Sequence, residues 1–134
     1  MRITNESDYA VRIVYVLATK NGITSAKDIS DISGVTLRFA LKILRKLTGA
    51  GIVASQKGAS GGYMLAKAAE EISLGEVIEV IDGPMCINNC IDSEFVCSRM
   101  GKNTGACKFH IYFDGLNAKL RKELYEAKLE DFLD

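Results

Sequence analysis

Apolar positions recur with helical spacing in five stretches of this chain, and a glycine-broken pair of short apolar segments reads as a hairpin. The first helix is predicted over residues 8–20. Ala10, Ile13, Val14 and Leu17 form its stripe, thickened by Val11, Tyr15, Val16 and Ala18. Thr4 or Asn5 can cap it and Asn21-Gly22 ends it. A helix this apolar is expected to be buried on two sides. A short second helix opens at Ser25, with Asp28 three residues on and Ala26, Ile29 and Ile32 as its apolar side. After the turn Ser33-Gly34-Val35 comes a helix over 36–49, capped by Thr36 and stopped by Gly49 or Gly51, with Leu37, Ala40, Leu44 and Leu47 turned inward. Residues 52–56 and 63–65 pair as the hairpin. Ser73 with Glu76 makes a capping box for a helix that buries Leu74, Val77, Ile78 and Ile81 and ends at Gly83-Pro84. Residues 85–110 lack periodicity and read as a loop. A last helix over 111–132 carries the stripe Phe109, Tyr112, Phe113, Leu116, Leu120 and Leu124, expected to need a second copy of the chain as cover.

The third helix has a second face. Arg38, Lys42, Arg45 and Lys46 fall at i, i+4, i+7 and i+8, opposite the apolar stripe. Such a row is either a solvated surface or a helix shaped for a DNA major groove. Its neighbours favour DNA. Two helices joined by a short glycine-containing turn form the helix-turn-helix pattern, in which the second helix reads bases. The hairpin tip Lys57-Gly58-Ala59-Ser60-Gly61-Gly62 is a candidate wing. It is not a nucleotide-binding loop, because no Gly-Lys-Ser/Thr precedes a helix. The expected fold is mainly α with a small β-hairpin wing. A winged helix-turn-helix over 1–66 is followed by a connecting helix (67–84), a cysteine-rich loop (85–110) and a C-terminal dimerisation helix (111–134).

The formal net charge of zero hides an asymmetry. Residues 1–65 carry 9 Lys/Arg against 4 Asp/Glu, and residues 66–134 carry 8 against 13. Phosphate is therefore the partner expected in the first half. With one histidine, no paired loop carboxylates and no nucleophile motif, the chain offers no constellation for catalysis. No apolar run is long enough to span a bilayer, and the N-terminus lacks a signal-peptide layout, so the expected setting is cytoplasmic, with no membrane.

All four cysteines fall in the loop, spaced Cys86-x3-Cys90-x6-Cys97-x9-Cys107, with His110 close behind. Zinc-knuckle pairs are absent, and the order differs from ferredoxin runs. Clustered thiols of this kind suit a soft-metal site, a thiol redox pair, or no special chemistry at all.

Taken together, these residues resemble the bacterial Rrf2 transcription regulators, which include the IscR-type and NsrR-type iron–sulfur sensors. The resemblance covers nearly the whole chain. It rests on Asp8-Tyr9-Ala10-Val11-Arg12, Gly51-Ile52-Val53-Ala54-Ser55 and Gly58-Ala59-Ser60-Gly61-Gly62-Tyr63-Met64-Leu65-Ala66. Ile72-Ser73-Leu74 and Ile81-Asp82-Gly83 extend it. It implies a homodimer crossing through the C-terminal helix, and a cluster held by Cys90, Cys97 and Cys107. It also implies a fourth ligand: Asp8 donated across the dimer as in the NsrR type, with His110 (IscR type) behind it. Cys86 is extra to the family pattern, a further candidate ligand or a redox partner. The gaps between the three cysteines exceed the tighter spacing common in the family. Ala59 stands where the family's wing has proline, and Leu41 where IscR-type proteins read bases with an acid, so a different operator is expected.

The expected function is thus a DNA-binding transcription regulator, a repressor, not an enzyme. Its affinity for a palindromic double-stranded operator would follow a four-iron–four-sulfur or two-iron–two-sulfur cluster that senses redox, nitric oxide or iron–sulfur status. Thr36, Leu37, Arg38, Leu41, Lys42 and Arg45 would meet DNA from the helix, and Lys57, Gly58 and Ser60 from the wing. The alternatives are the same fold with a thiol switch or zinc site, and an iron–sulfur electron-transfer or protein-interaction module.

Overall fold

The computed structural model describes residues 2–134; Met1, the first residue of the expected winged unit, lies outside them. Five α-helices, a two-stranded antiparallel sheet and short 3-10 turns follow one another. Helix α1 (Asn5–Lys20) starts three residues before the predicted 8–20 span, because Thr4 is the cap: its hydroxyl accepts the Ser7 N–H at 3.1 Å. Asn21 closes the helix in the left-handed region, φ 50°. Helix α2 (Ala26–Ser33) is capped by Ser25, which accepts the Asp28 N–H at 3.2 Å. It stops at Gly34 with φ 73°, where glycine is at ease. Helix α3 (Leu37–Gly49) follows at once, capped by Thr36.

Strands β1 (Val53–Gln56) and β2 (Gly62–Leu65) pair in the register Val53↔Leu65 to Gln56↔Gly62. The hairpin is fastened to the turn before α2 by two hydrogen bonds between Thr24 and Tyr63, at 2.9 and 2.8 Å. Here Gly61 and Gly62 show their purpose. A Cβ at Gly61 would strike the Gln56 backbone, and one at Gly62 the Thr24 backbone. These glycines serve close approach within the chain itself.

The core is continuous. Ala10, Ile13 and Val14 of α1 meet Ile29 of α2, Ile43, Leu44 and Leu47 of α3, and Ile52 and Val53 at the sheet. Helix α4 (Leu74–Asp82) joins through Val77, and the chain end joins through Leu129, 1% exposed. Two expected core positions of α2 and α3 lie outside. Ile32 is 53% exposed and Leu37 46% exposed, because the inward sides of α2 and α3 are taken by Ile29 with Ser33 and by Ala40 with Ile43.

The predicted capping box at Ser73 is half made. Ser73 accepts the Glu76 N–H at 3.0 Å, but the Glu76 carboxylate turns instead to Lys67 Nζ at 2.6 Å. Helix α5 (Lys108–Glu126) begins three residues before the predicted start at 111 and ends six before the predicted 132. After it the chain turns back. Leu74 N–H bonds Ala127 C=O at 2.9 Å, Leu129 N–H bonds Ile72 C=O at 2.8 Å, and a 3-10 turn, Leu129–Phe132, follows. The expected stripe on α5 is largely open: Phe109 is 71%, Tyr112 66% and Leu116 43% exposed. No helix of the described residues is long and apolar enough to cross a membrane.

Helices α4 and α5 meet where Gly75 faces the ring of Tyr125, inside which a Cβ would fall. Alanine there would gain about 1 kcal/mol of helix propensity, but overpacking costs about 1–3 kcal/mol. Gly75→Ala is expected to lower the midpoint of urea unfolding.

Candidate nucleic-acid interface and cysteine cavity

Helix α3 presents Thr36, Leu37, Arg38, Leu41, Lys42 and Arg45 to solvent, all on exposed positions. The four cations are not equivalent. Lys46 Nζ is 2.9 Å from Glu6 Oε1 of α1, and Lys42 Nζ is 3.7 Å from the same atom. Among the described residues, neither Arg38 nor Arg45 is engaged in an ion pair. Lys46 is thus a strap between α1 and α3. At the hairpin tip Lys57, Gly58 and Ser60 are exposed, with Gly58 at φ 111° and the turn closed by Gly61 N–H to Gly58 C=O at 3.0 Å.

The cysteine loop has a defined shape. Cys90, Cys97, Cys107 and His110 line one cavity of about 260 Å³, with Arg99 and Phe95 also in its wall. All four cysteines of the chain are free thiols. Reciprocal hydrogen bonds between Cys97 and Gly101, at 2.9 and 2.8 Å, close a tight turn around Arg99, and Gly101 adopts φ 62° to make it. Cys107 occupies the N-cap position of α5. The amide of His110 acts most strongly on its thiol. Desolvation opposes that effect, and the Phe109 amide and the Arg99 guanidinium reinforce it; the pKa lies below the ordinary thiol value. His110 Nδ1 is buried and has no hydrogen-bond partner. An unpaired nitrogen beside three thiols is a donor set suited to a soft metal centre.

Among the described residues, no three Cys, His, Asp or Glu side chains converge closely enough to hold one metal ion. A cluster makes a different demand: its protein ligands are divided among several irons, so they surround a cavity instead of all meeting at one ion. The cavity fits that demand. Two expected ligands lie apart from it. Asp8 is exposed on α1 and paired with Arg12 at 2.8 Å. Cys86 lines a separate cleft with Thr4, Asp82 and Pro84. Burial, then the Asp92 and Glu79 carboxylates, pushes its thiol pKa up.

Sequence reasoning missed the residues that hold the loop. Asn117, buried in α5, accepts the Ile87 N–H at 3.0 Å and donates to Met85 C=O at 2.9 Å. Glu79 of α4 accepts the Met85 N–H at 2.8 Å, both Arg121 donors at 2.9–3.1 Å, and the Tyr125 hydroxyl. A polar residue in the apolar register of α5 was a usable signal for Asn117. Glu79 offered none. Three residues further along α4, Thr4 Oγ1 donates to Asp82 Oδ1 at 2.6 Å, tying the α1 cap to the root of the loop.

A helix-turn-helix whose second helix exposes unpaired arginines beside a glycine-built hairpin defines the winged helix-turn-helix class of transcription regulator. The family model described as "Iron-dependent Transcriptional regulator", Rrf2, matches residues 3–134, and the chain belongs to the Rrf2 family. It is 34% identical over 126 residues to protein aau3 of Rhizobium meliloti, covering 92% of this chain and 75% of that protein. It is 34% identical over 96 residues to the HTH-type transcriptional regulator NsrR of Bacillus licheniformis, covering 70% and 67%. Among solved structures it shares its fold with CymR (YrzC), the global cysteine regulator of B. subtilis, at TM-score 0.78, 24% identity and coverage of 100% and 99%. The chain is a transcriptional regulator and not an enzyme.

Burial disfavours the charged form of Glu79, but the bonds from Arg121, Tyr125 and the Met85 amide outweigh it, so its pKa lies below the ordinary 4.5. A carboxylate with a depressed folded pKa contributes stability that is complete above its unfolded pKa and lost as pH falls through the folded value. Glu79→Gln should therefore flatten the acid limb of a stability–pH curve below about pH 4.5, measured by thermal unfolding.

Proposed function

We propose that this protein is a homodimeric, cytoplasmic repressor whose affinity for a palindromic operator is set by an iron–sulfur cluster in the cysteine cavity. The observation that carries the proposal is the gathering of Cys90, Cys97, Cys107 and the unpaired His110 around one space. Membership of a family described as iron-dependent supports it. The three thiolates would hold the cluster, with Asp8 of the partner subunit, after leaving its Arg12, as first choice for the remaining ligand and His110, already in the cavity wall, behind it. Bound there, a cluster would supply a site for electrons and for ligands such as nitric oxide or oxygen. A carboxylate holds iron less firmly than a thiolate, which makes the Asp8 corner the open one. Residues 85–87 are clamped to Glu79 and Asn117, so a change of loop shape would bear on α4 and α5. The exposed aromatic face of α5 would lie in the dimer.

On DNA, Thr36, Arg38, Leu41 and Arg45 would meet the major groove, with Lys42 shared between phosphate and Glu6. Lys57, Gly58 and Ser60 would approach the adjacent minor groove. Operator affinity should fall steeply as salt rises, since bound phosphates release counterions. Lys57→Ala should weaken binding and reduce the salt slope by about one ion, with unfolding unchanged. A flat salt dependence in a labelled-DNA titration would remove the assignment.

Protein purified without oxygen should be brown, with broad visible absorbance and bound sulfide. Cys97→Ala should abolish the colour, and Asp8→Ala should leave a cluster that bleaches faster in air. Colourless protein containing zinc would replace the cluster with a zinc site. Colourless, metal-free protein whose DNA affinity follows the thiol oxidation state would make it a thiol switch.

A further inference from the structure

Arg99 is the one Lys or Arg in the wall of the cysteine cavity. It touches two of the three thiols at once. Its backbone N–H donates to Cys97 Sγ at 3.4 Å, and its guanidinium Nη2 donates to Cys107 Sγ at 3.1 Å. Among the described residues it has no carboxylate partner, so its charge is directed at sulfur alone. The turn closed by Cys97 and Gly101 holds it there.

We propose that Arg99 is a positioning residue that raises the electron affinity of a cluster held by these cysteines, through a hydrogen bond to each of two ligand sulfurs. The inference rests on the cluster assignment above and adds to it a residue outside the ligand set. Reduction potentials of iron–sulfur clusters follow net charge, hydrogen bonds to sulfur and exposure to solvent. A fixed cation and N–H donors stabilise the electron-rich, reduced state more than the oxidised one. Their removal must therefore make the cluster harder to reduce. Arginine suits the role because its guanidinium is always charged and its donors are held in a rigid fork, whereas lysine would keep the charge and lose the fork. The competing account is an exposed arginine whose charge solvent screens from the sulfurs, which would leave the potential unmoved.

The test uses full-length protein reconstituted anaerobically with iron and sulfide, and an absorbance-monitored redox titration in which a chemical reductant adds one electron per cluster. Arg99→Gln should shift the one-electron equilibrium toward the oxidised form by about tenfold, a midpoint more negative by about 59 mV. Arg99→Lys should shift it the same way by less than half as much. An Arg99→Gln midpoint equal to wild type, in a protein that carries the cluster, overturns the role of Arg99 while leaving the cluster in place. If Arg99→Gln takes up no iron, Arg99→Lys decides: a lowered midpoint supports the proposal and a wild-type midpoint overturns it. A colourless wild type without sulfide overturns the cluster assignment, and this inference with it.

Discussion

Burial of α1 is the constraint on which the other elements depend. Its inward side chains Ala10, Ile13 and Val14 are fully enclosed, and α2, α3, α4, β2 and the terminal 3-10 turn all pack on it. Each large apolar side chain so enclosed contributes about 1.5–3 kcal/mol. Because α1 is shared, no element that touches it can shift without disturbing the others. The same helix carries Thr4, bonded to Asp82 below the loop, and Glu6, bonded to the lysines of α3. Groups at both ends of the proposed signal are therefore attached within two residues of one another.

Much of this was legible in the sequence because it is local. The caps at Thr4, Ser25, Thr36 and Ser73 each act on an amide three residues away, and each was visible as a hydroxyl before a periodic apolar run. The wing, the turn at Gly34 and the inward face of α3 follow from the same short-range rules. What escaped was long-range. The bonds of Glu79 to Arg121 and of Asn117 to Met85 join residues more than thirty positions apart, and no period or spacing announces them. The end of α5 was misjudged for a related reason. Leu129 and Phe132 continue the apolar pattern, but Leu129 serves the core of the winged unit and pulls the chain out of the helix.

The candidate site divides in the same way. The three thiols of the cavity were found from composition and resemblance, whereas the shape of the cavity depends on a turn at Gly101 and a cap at Cys107. Asp8 and Cys86 carry suitable chemistry but stand elsewhere in a single chain. A residue can have the right atoms and still lack the neighbours that make it part of a site. Only the fold supplies those.

The carboxylate of Glu6 has a consequence for how such a protein searches a genome. A regulator must leave random sequence quickly, because roughly 10⁶–10⁹ competing sites surround its target. Attraction to random sequence comes almost wholly from unneutralised cations. On the proposed DNA face, by occupying Lys46 and sharing Lys42, Glu6 would trim the indiscriminate part of the grip and leave Arg38 and Arg45, whose forked donors would be free to meet base edges. One buttressing acid would then shorten the time lost on the wrong address.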